Sequence, residues 1–296
     1  MPERPLASEA GWLRGSAALA ALTFDVDAES AILAMGRRYA AHAMVMSHQA
    51  YGPRVGVPRL MDLLDDFGLA ATFFVPGLVA ERYPGLVDGI LARGHEIGHH
   101  SYSHRKPTTL TSDEERRDFE RALDVLRGLG AEPKGHRTAL WAASWRSQAL
   151  VAEHDLLYDS SLMDDDRPYR LATESGSVME LPPHWSLDDW EQYGYLEEPH
   201  IGTRIEPPDH VFSLWRAELD AMRRYGSLFM LTNHPFLSGR PSRVENLRRL
   251  IEHILSCGDV EILTCAEIAD RAAADASLPT RTHAPGDYDP DTYPEL

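Results

Sequence analysis

Short apolar runs alternate with amphipathic stretches along most of the chain. AALAALTFDVD, residues 17–27, is a continuous apolar run that ends abruptly in acids, the pattern of a strand buried on both faces whose C-terminal end reaches a polar site. GVPRLMDLLDDFGL sets Val57, Leu60, Leu63, Leu64 and Phe67 at helical spacing and closes on Gly68, which predicts an amphipathic helix with a glycine stop. AATFFVPG reads as a second buried strand, YPGLVDGILARG as a helix and HEIGHHS as a strand. TSDEERRDFERALDVLRGLG is a long helix opened by a Thr/Ser cap with acids in its first turn. Later come a helix in SLWRAELDAMRRYG, a strand in SLFMLTNHP, a helix in RVENLRRLIEHILSCG, and a last strand running into a short helix in VEILTCAEIAD. Strands alternating with helices imply a parallel sheet, here long enough to curl into a barrel. Residues 160–210 break this rhythm. They are dense in Pro, Trp and Tyr and read as an extended loop region beside a site rather than another repeat unit.

At 296 residues the chain can bury a full core and does not require a second domain. Its net charge of −17 would repel phosphate backbones and anionic lipid, so nucleic-acid and membrane partners are not expected. The N-terminal stretch lacks a basic region followed by a long apolar run, and no segment reaches about 18 apolar residues. A cytoplasmic location is the expectation. The two cysteines, Cys257 and Cys265, have neither a zinc-knuckle nor a redox spacing, and are expected to be buried free thiols. Residues 1–19 are expected to form an N-terminal extension, 20–272 the barrel and 273–296 a C-terminal tail without apolar period.

Residues 93–107, RGHEIGHHSYSHRKP, crowd four histidines into ten positions: His95, His99, His100 and His104. Two pairs are four apart, so spacing alone does not choose between them. Conformation does. Four residues of strand span about 13 Å, too far for two imidazoles to meet one ion, whereas on a helical turn the Cβ atoms lie about 5–6 Å apart. GHEIGHH looks like a strand, so His95 and His99 are expected to be structural. HSYSHRKP leaves the strand end and can wind into a turn that brings His100 and His104 to one side. In TFDVD, Asp25 and Asp27 face the same way on a strand and emerge together at its C-terminal end. One carboxylate and two imidazoles can therefore converge on an ion, leaving the other carboxylate to act as a base. The alternative is that both acids cap neighbouring helix N-termini.

With these residues in place, the chain resembles the polysaccharide deacetylase superfamily, metal-dependent amide hydrolases with a deformed (β/α) barrel, over about residues 20 to 270. The resemblance implies a single-domain α/β fold of that type. It implies Asp25 as catalytic base in TFDVD, with Asp27, His100 and His104 (HSYSH) as metal ligands. Arg137 in HRTALW falls where the family has the arginine that pairs with the base, although Ala139 stands where proline is usual. His234 in LTNHP would be the general acid. YGPRVGVPRL and HPFLSGRPSR resemble the intracellular branch that contains cyclic imide hydrolases and peptidoglycan deacetylase-like proteins. That branch implies a homo-oligomer, dimer or tetramer.

Zinc suits two imidazoles and a carboxylate, and the same set accepts cobalt, nickel or manganese. Tyr51, Arg54 and Trp185 are candidate pocket walls, and a backbone N–H near Tyr102 a candidate oxyanion donor. Arg240 and Arg243 would either grip a substrate carboxylate or carbonyl, or pin their loop to Asp164, Asp165 and Asp166. The expected function is metal-dependent hydrolysis of a non-peptide C–N bond, most simply in a small cyclic imide or amide. An N-acetyl sugar is the alternative substrate, and a non-catalytic relative that kept the motifs is the alternative of another class.

Overall fold

A computed structural model describes residues 11–284. Among these residues ten strands form one sheet: β1 (Ala18–Asp25), β2 (Thr72–Val75), β3 (Glu96–His99), β4 (Gly135–His136), β5 (Tyr158–Asp159), β6 (Tyr169–Thr173), β7 (Gly176–Glu180), β8 (Leu228–Asn233), β9 (Val260–Ile262) and β10 (Thr280–Thr282). They run in the order β10-β6-β7-β5-β4-β3-β2-β1-β8, with β9 beside the first residues of β1. All pairings are parallel except the β6–β7 hairpin. Among the described residues no ladder joins β8 to β10. The barrel is thus open there, which is the deformed (β/α) form expected from the sequence.

Strand β1 is buried along its whole length, and its side chains divide by parity between two cores. Ala20, Leu22 and Phe24 join the large cluster under the helices, with Leu63, Leu64, Phe73 and Val87. Leu19 and Ala21 join a second cluster with Phe74, Tyr158 and Met230. Asp25 shares the parity of the second set, so the strand aims it away from the helix-covered face.

The helices follow the periodicity of the sequence. Val57–Phe67 buries Leu60, Leu63 and Leu64 and ends on Gly68 in the left-handed conformation, φ 64°. Ser112–Gly128 and Cys265–Ala273 each open with a capping box, Thr111 with Glu114 and Thr264 with Glu267. Among the described residues no helix is long and apolar enough to cross a membrane.

Several boundaries differ from expectation. Trp12 and Leu13 are fully buried in the second core, so the fold begins before residue 20. Beyond residue 272, β10 pairs with β6 at the sheet edge, so the described part of the C-terminal segment is built into the sheet; residues 1–10 and 285–296 lie outside the described residues. The middle segment contains the β6–β7 hairpin, and the helix predicted from Ser213 already starts at Pro208. There proline occupies the first helical turn, where its missing N–H costs nothing. Cys265 is buried, but Cys257 is only half-buried, because it ends its helix at the surface.

Candidate active site

The polar residues singled out in the sequence gather at the C-terminal ends of β1, β3, β4 and β8, the edge at which parallel α/β sheets hold their chemistry. Backbone pairing continues one residue past β1, from the Val26 N–H to the Phe74 carbonyl at 2.9 Å, and Asp27 follows directly. After β3 the chain turns sharply: Ser101 and His104 both adopt φ 58°. The Asp118 carboxylate ties the turn to helix Ser112–Gly128 by accepting the N–H groups of Tyr102 (3.0 Å) and Ser103 (3.2 Å). This winding brings the His100 and His104 rings to 5.2 Å. His99 points elsewhere, meeting His136 Nδ1 at 2.7 Å and the Phe119 carbonyl at 3.0 Å, and His95 lies against Phe73. Strand and turn separate the two histidine pairs as the conformational argument requires.

Asp27, His100 and His104 form one buried cluster whose ligand atoms lie within 4.8 Å of one another. His100 Nε2 is 3.2 Å from Asp27 Oδ1, and His104 Nε2 is 3.2 Å from Oδ2. His100 Nδ1 meets the Arg137 carbonyl at 2.7 Å, so Nδ1–H donates there and Nε2 is the atom turned toward Asp27. Asp27 Oδ1 accepts no hydrogen bond despite complete burial. Two imidazole Nε2 atoms turned onto one buried carboxylate form a site that either shares protons or, with both rings neutral, holds a cation. Burial by itself pushes the Asp27 carboxyl up, yet His104, His100 and His234 together hold it well below the usual carboxylate range. The donor set fits a divalent transition metal.

Asp25 lies beside this cluster, its Oδ1 held at 2.8 Å by Arg137. Arg137 is fully buried and held at both terminal nitrogens: beside Asp25 it donates to Thr23 (2.8 Å) and Ser160 (3.1 Å), and it lies 4.2 Å over the Phe74 ring. On the opposite side His234 Nε2 is 3.5 Å from Asp27 Oδ2. His234 Nδ1 bonds Asp189 at 2.7 Å, and the same carboxylate accepts the His234 N–H and the Ser238 hydroxyl. Burial opposes a charged imidazole, but Asp188, Asp189 and Asp27 outweigh it and raise the His234 pKa well above its ordinary value. Burial also pushes the Asp188 carboxyl up to about 8, with Asp189 adding to the rise and His234 opposing it. Asp189, nearer to Nδ1 than Asp188 at 3.5 Å, is the group that orients the ring.

Above these groups is a cavity of about 240 Å³, lined by Asp25, Asp27, His100, His104 and His234 and walled by Leu140, Trp141, Trp185 and Trp190. Leu140 and Trp141 both adopt left-handed backbone, φ 57° and 48°, a conformation that non-glycine residues hold only when the surroundings impose it. Trp141 meets Trp185 edge-on at 4.7 Å, and Trp190 meets His234 at 5.2 Å. Ala139, in place of the usual proline, thus leads into a wall made by these aromatics.

A profile of the polysaccharide deacetylase family matches residues 16–148. A crystal structure from Mycobacterium smegmatis, of a protein provisionally called a polysaccharide deacetylase, superposes with TM-score 0.89 at 42% identity, covering 100% of this chain and 99% of that one. The chain belongs to the polysaccharide deacetylase family. The family identity makes it a hydrolase. A peptidoglycan deacetylase from Helicobacter pylori is 27% identical over 252 residues, 76% of this chain and 86% of that one. The Puue allantoinase shares the fold, with TM-score 0.78 at 23% identity over 94% of this chain and 96% of that one.

Not every residue proposed from the sequence reaches the deacetylase-type cavity. Trp185 lines it; Tyr51, Arg54, Tyr102, Arg240 and Arg243 do not. The Tyr102 N–H is taken by Asp118, so it has no proton to offer an oxyanion, and its ring lies under Arg121 at 3.6 Å. Arg54 is exposed on the turn Gly52–Gly56. Arg240 lies 3.7 Å over the Tyr51 ring and Arg243 4.3 Å over Tyr193, so they neither face the cavity nor hold Asp164 and Asp165, which pair with Arg281. What YGPRVGV and HPFLSG do build is a backbone contact. A Cβ on Gly56 would come within 2.1 Å of the Pro235 carbonyl oxygen, and one on Gly239 within 2.4 Å of the Gly56 Cα. Only glycine permits that approach, which seats the segment bearing His234.

Sequence reasoning missed Asp188, Asp189, Trp141 and Trp190. For the two acids and Trp190 the available signal was SLDDWEQ, paired acids directly before an aromatic in the one region that broke the strand–helix rhythm; Trp141 closes HRTALW, four residues after Arg137.

Proposed function

We propose that this chain is a metal-dependent hydrolase that opens a small cyclic imide or amide to a half-amide, with Asp27, His100 and His104 as the metal ligands. The observation that carries the substrate class is the cavity, about 240 Å³ and walled by three tryptophans, a shape suited to one small planar ring rather than a polymer strand. A divalent metal, zinc by the donor set, would supply Lewis acidity that polarises the substrate carbonyl and acidifies a water. Asp25 accepts the proton of the attacking water, and the Arg137 clamp keeps it aimed. His234, charged and oriented by Asp189, donates from Nε2 to the leaving nitrogen. The proposal includes a cytoplasmic location and a homo-oligomer, for which the exposed Tyr195 and Ile205 of the middle segment offer apolar surface.

The second reading, an N-acetyl sugar deacetylase, is favoured by the Helicobacter pylori relative and uses the same groups. Steady-state assays of succinimide, maleimide and glutarimide beside N-acetylglucosamine oligomers separate the two. Turnover of the imides with none of the oligomers is the expected result. Deacetylation of the oligomers without imide turnover overturns the substrate while leaving the metal chemistry in place.

A further inference from the structure

A second cluster of metal-binding side chains lies outside the active site, across two packed helices. Asp220 projects from Pro208–Tyr225; His253 and Cys257 project from Pro241–Cys257. One ligand atom from each lies within 4.8 Å of the other two. His253 and Cys257 are four apart, so the helix presents them on one face a turn apart. Asp220 arrives from the neighbouring helix, its Oδ1 3.3 Å from His253 Nε2. All three are half-buried, so an ion and its water reach them without disturbing the core.

We propose that Asp220, His253 and Cys257 form a second metal site that takes a zinc-class ion and ties the two helices together. An imidazole, a thiolate and a carboxylate make a borderline-soft set that suits zinc or cobalt and disfavours magnesium and calcium, with a fourth position for water. Cys257 is the last residue of its helix, where the unpaired carbonyls add partial negative charge. The nearby Arg223 does not block the site. Its Nε and Nη2 hold Asp259, each at 2.9 Å, and it reaches Asp220 only at 3.4 Å, again on Oδ1. The Cys257 Sγ–H now donates to the His253 carbonyl at 3.3 Å; as the metal–sulfur bond forms, that proton leaves to solvent.

The active-site cluster contains no sulfur, and the other cysteine, Cys265, is fully buried beside Met230. A thiolate-to-cobalt charge-transfer band therefore reports the proposed site alone. The full-length protein, stripped with a chelator and titrated with Co²⁺, should take up two ions per chain and develop that band in the near ultraviolet. Cys257→Ser should lose the band and retain one ion and full turnover, whereas His104→Ala should keep the band. Should Cys257→Ser not fold, His253→Ala and Asp220→Asn serve instead, each weakening the Co²⁺ affinity read from the band by about tenfold or more. No band in the wild-type protein, a band surviving Cys257→Ser, or unchanged affinity in both alternative variants overturns the proposal.

Discussion

Two walls face each other across the cavity, and they are made differently. One is the strand edge that carries Asp25, Asp27, His100, His104 and Arg137, buried and tied to the sheet through the Arg137–Asp25 pair and the His100–Arg137 carbonyl bond. The other, Leu140, Trp141, Trp185 and Trp190, stands on loops and one-turn helices, and Trp185 remains 49% exposed. The contrast separates chemistry from selection. Fixed geometry suits groups that must hold an ion and move protons, whereas loop-borne rings can differ between relatives without disturbing them. His234 joins the two: its backbone leaves β8, but Asp189, from the loop side, aims its ring.

Substitutions on the two walls should separate in the same way. The largest effect belongs to the strand edge: His104→Ala should lose both metal and turnover, measured by metal analysis and kinetics on purified protein, while His99→Ala keeps its metal. A His104→Ala protein with full stoichiometric metal would remove that ligand from the assignment. Next, Asp25→Asn should keep its metal and lose roughly a hundredfold to ten-thousandfold in kcat; wild-type kinetics from it would shift the base elsewhere.

Asp189→Asn tests the junction. Because the pKa of His234 is raised, its acid form persists through neutral pH and is lost only as pH rises through that raised value, which gives the alkaline limb of the rate profile. Removing the Asp189 charge lowers the pKa, so the limb should move to lower pH; a limb that stays put assigns it to another group. Trp185→Ala, on the loop wall, should raise KM by about tenfold, the scale of one aromatic contact, and leave kcat nearly unchanged. A kcat loss equal to that of Asp25→Asn would erase the distinction between the walls. The smallest effect is expected from Arg240→Ala, whose guanidinium rests on Tyr51 outside the cavity, with kinetics near wild type.

The same division explains what could be read from the sequence. Asp25 and Asp27 share a strand parity, and His100 and His104 share a turn; both relations are local, and local spacing survives folding. Arg240 and Arg243 miss the cavity because sequence proximity to His234 does not say which way a guanidinium turns, and here they settle on the Tyr51 and Tyr193 rings, which also keeps Tyr51 out of the pocket wall. Asp189 reaches His234 across 45 residues, a contact created only when the middle segment folds back over β8. The helix start at Pro208 is hidden in the sequence because prolines that read as loop are compatible with a first helical turn.

The central claim is that one metal ion lies among Asp27, His100 and His104 in the active protein. Anomalous diffraction from crystals of active protein, collected at the absorption edge of the metal it carries, tests that directly. The account predicts a peak about 2.0–2.2 Å from Asp27 and from both Nε2 atoms, and loss of the peak together with activity after chelation. Full activity in protein with no peak at that position would contradict it.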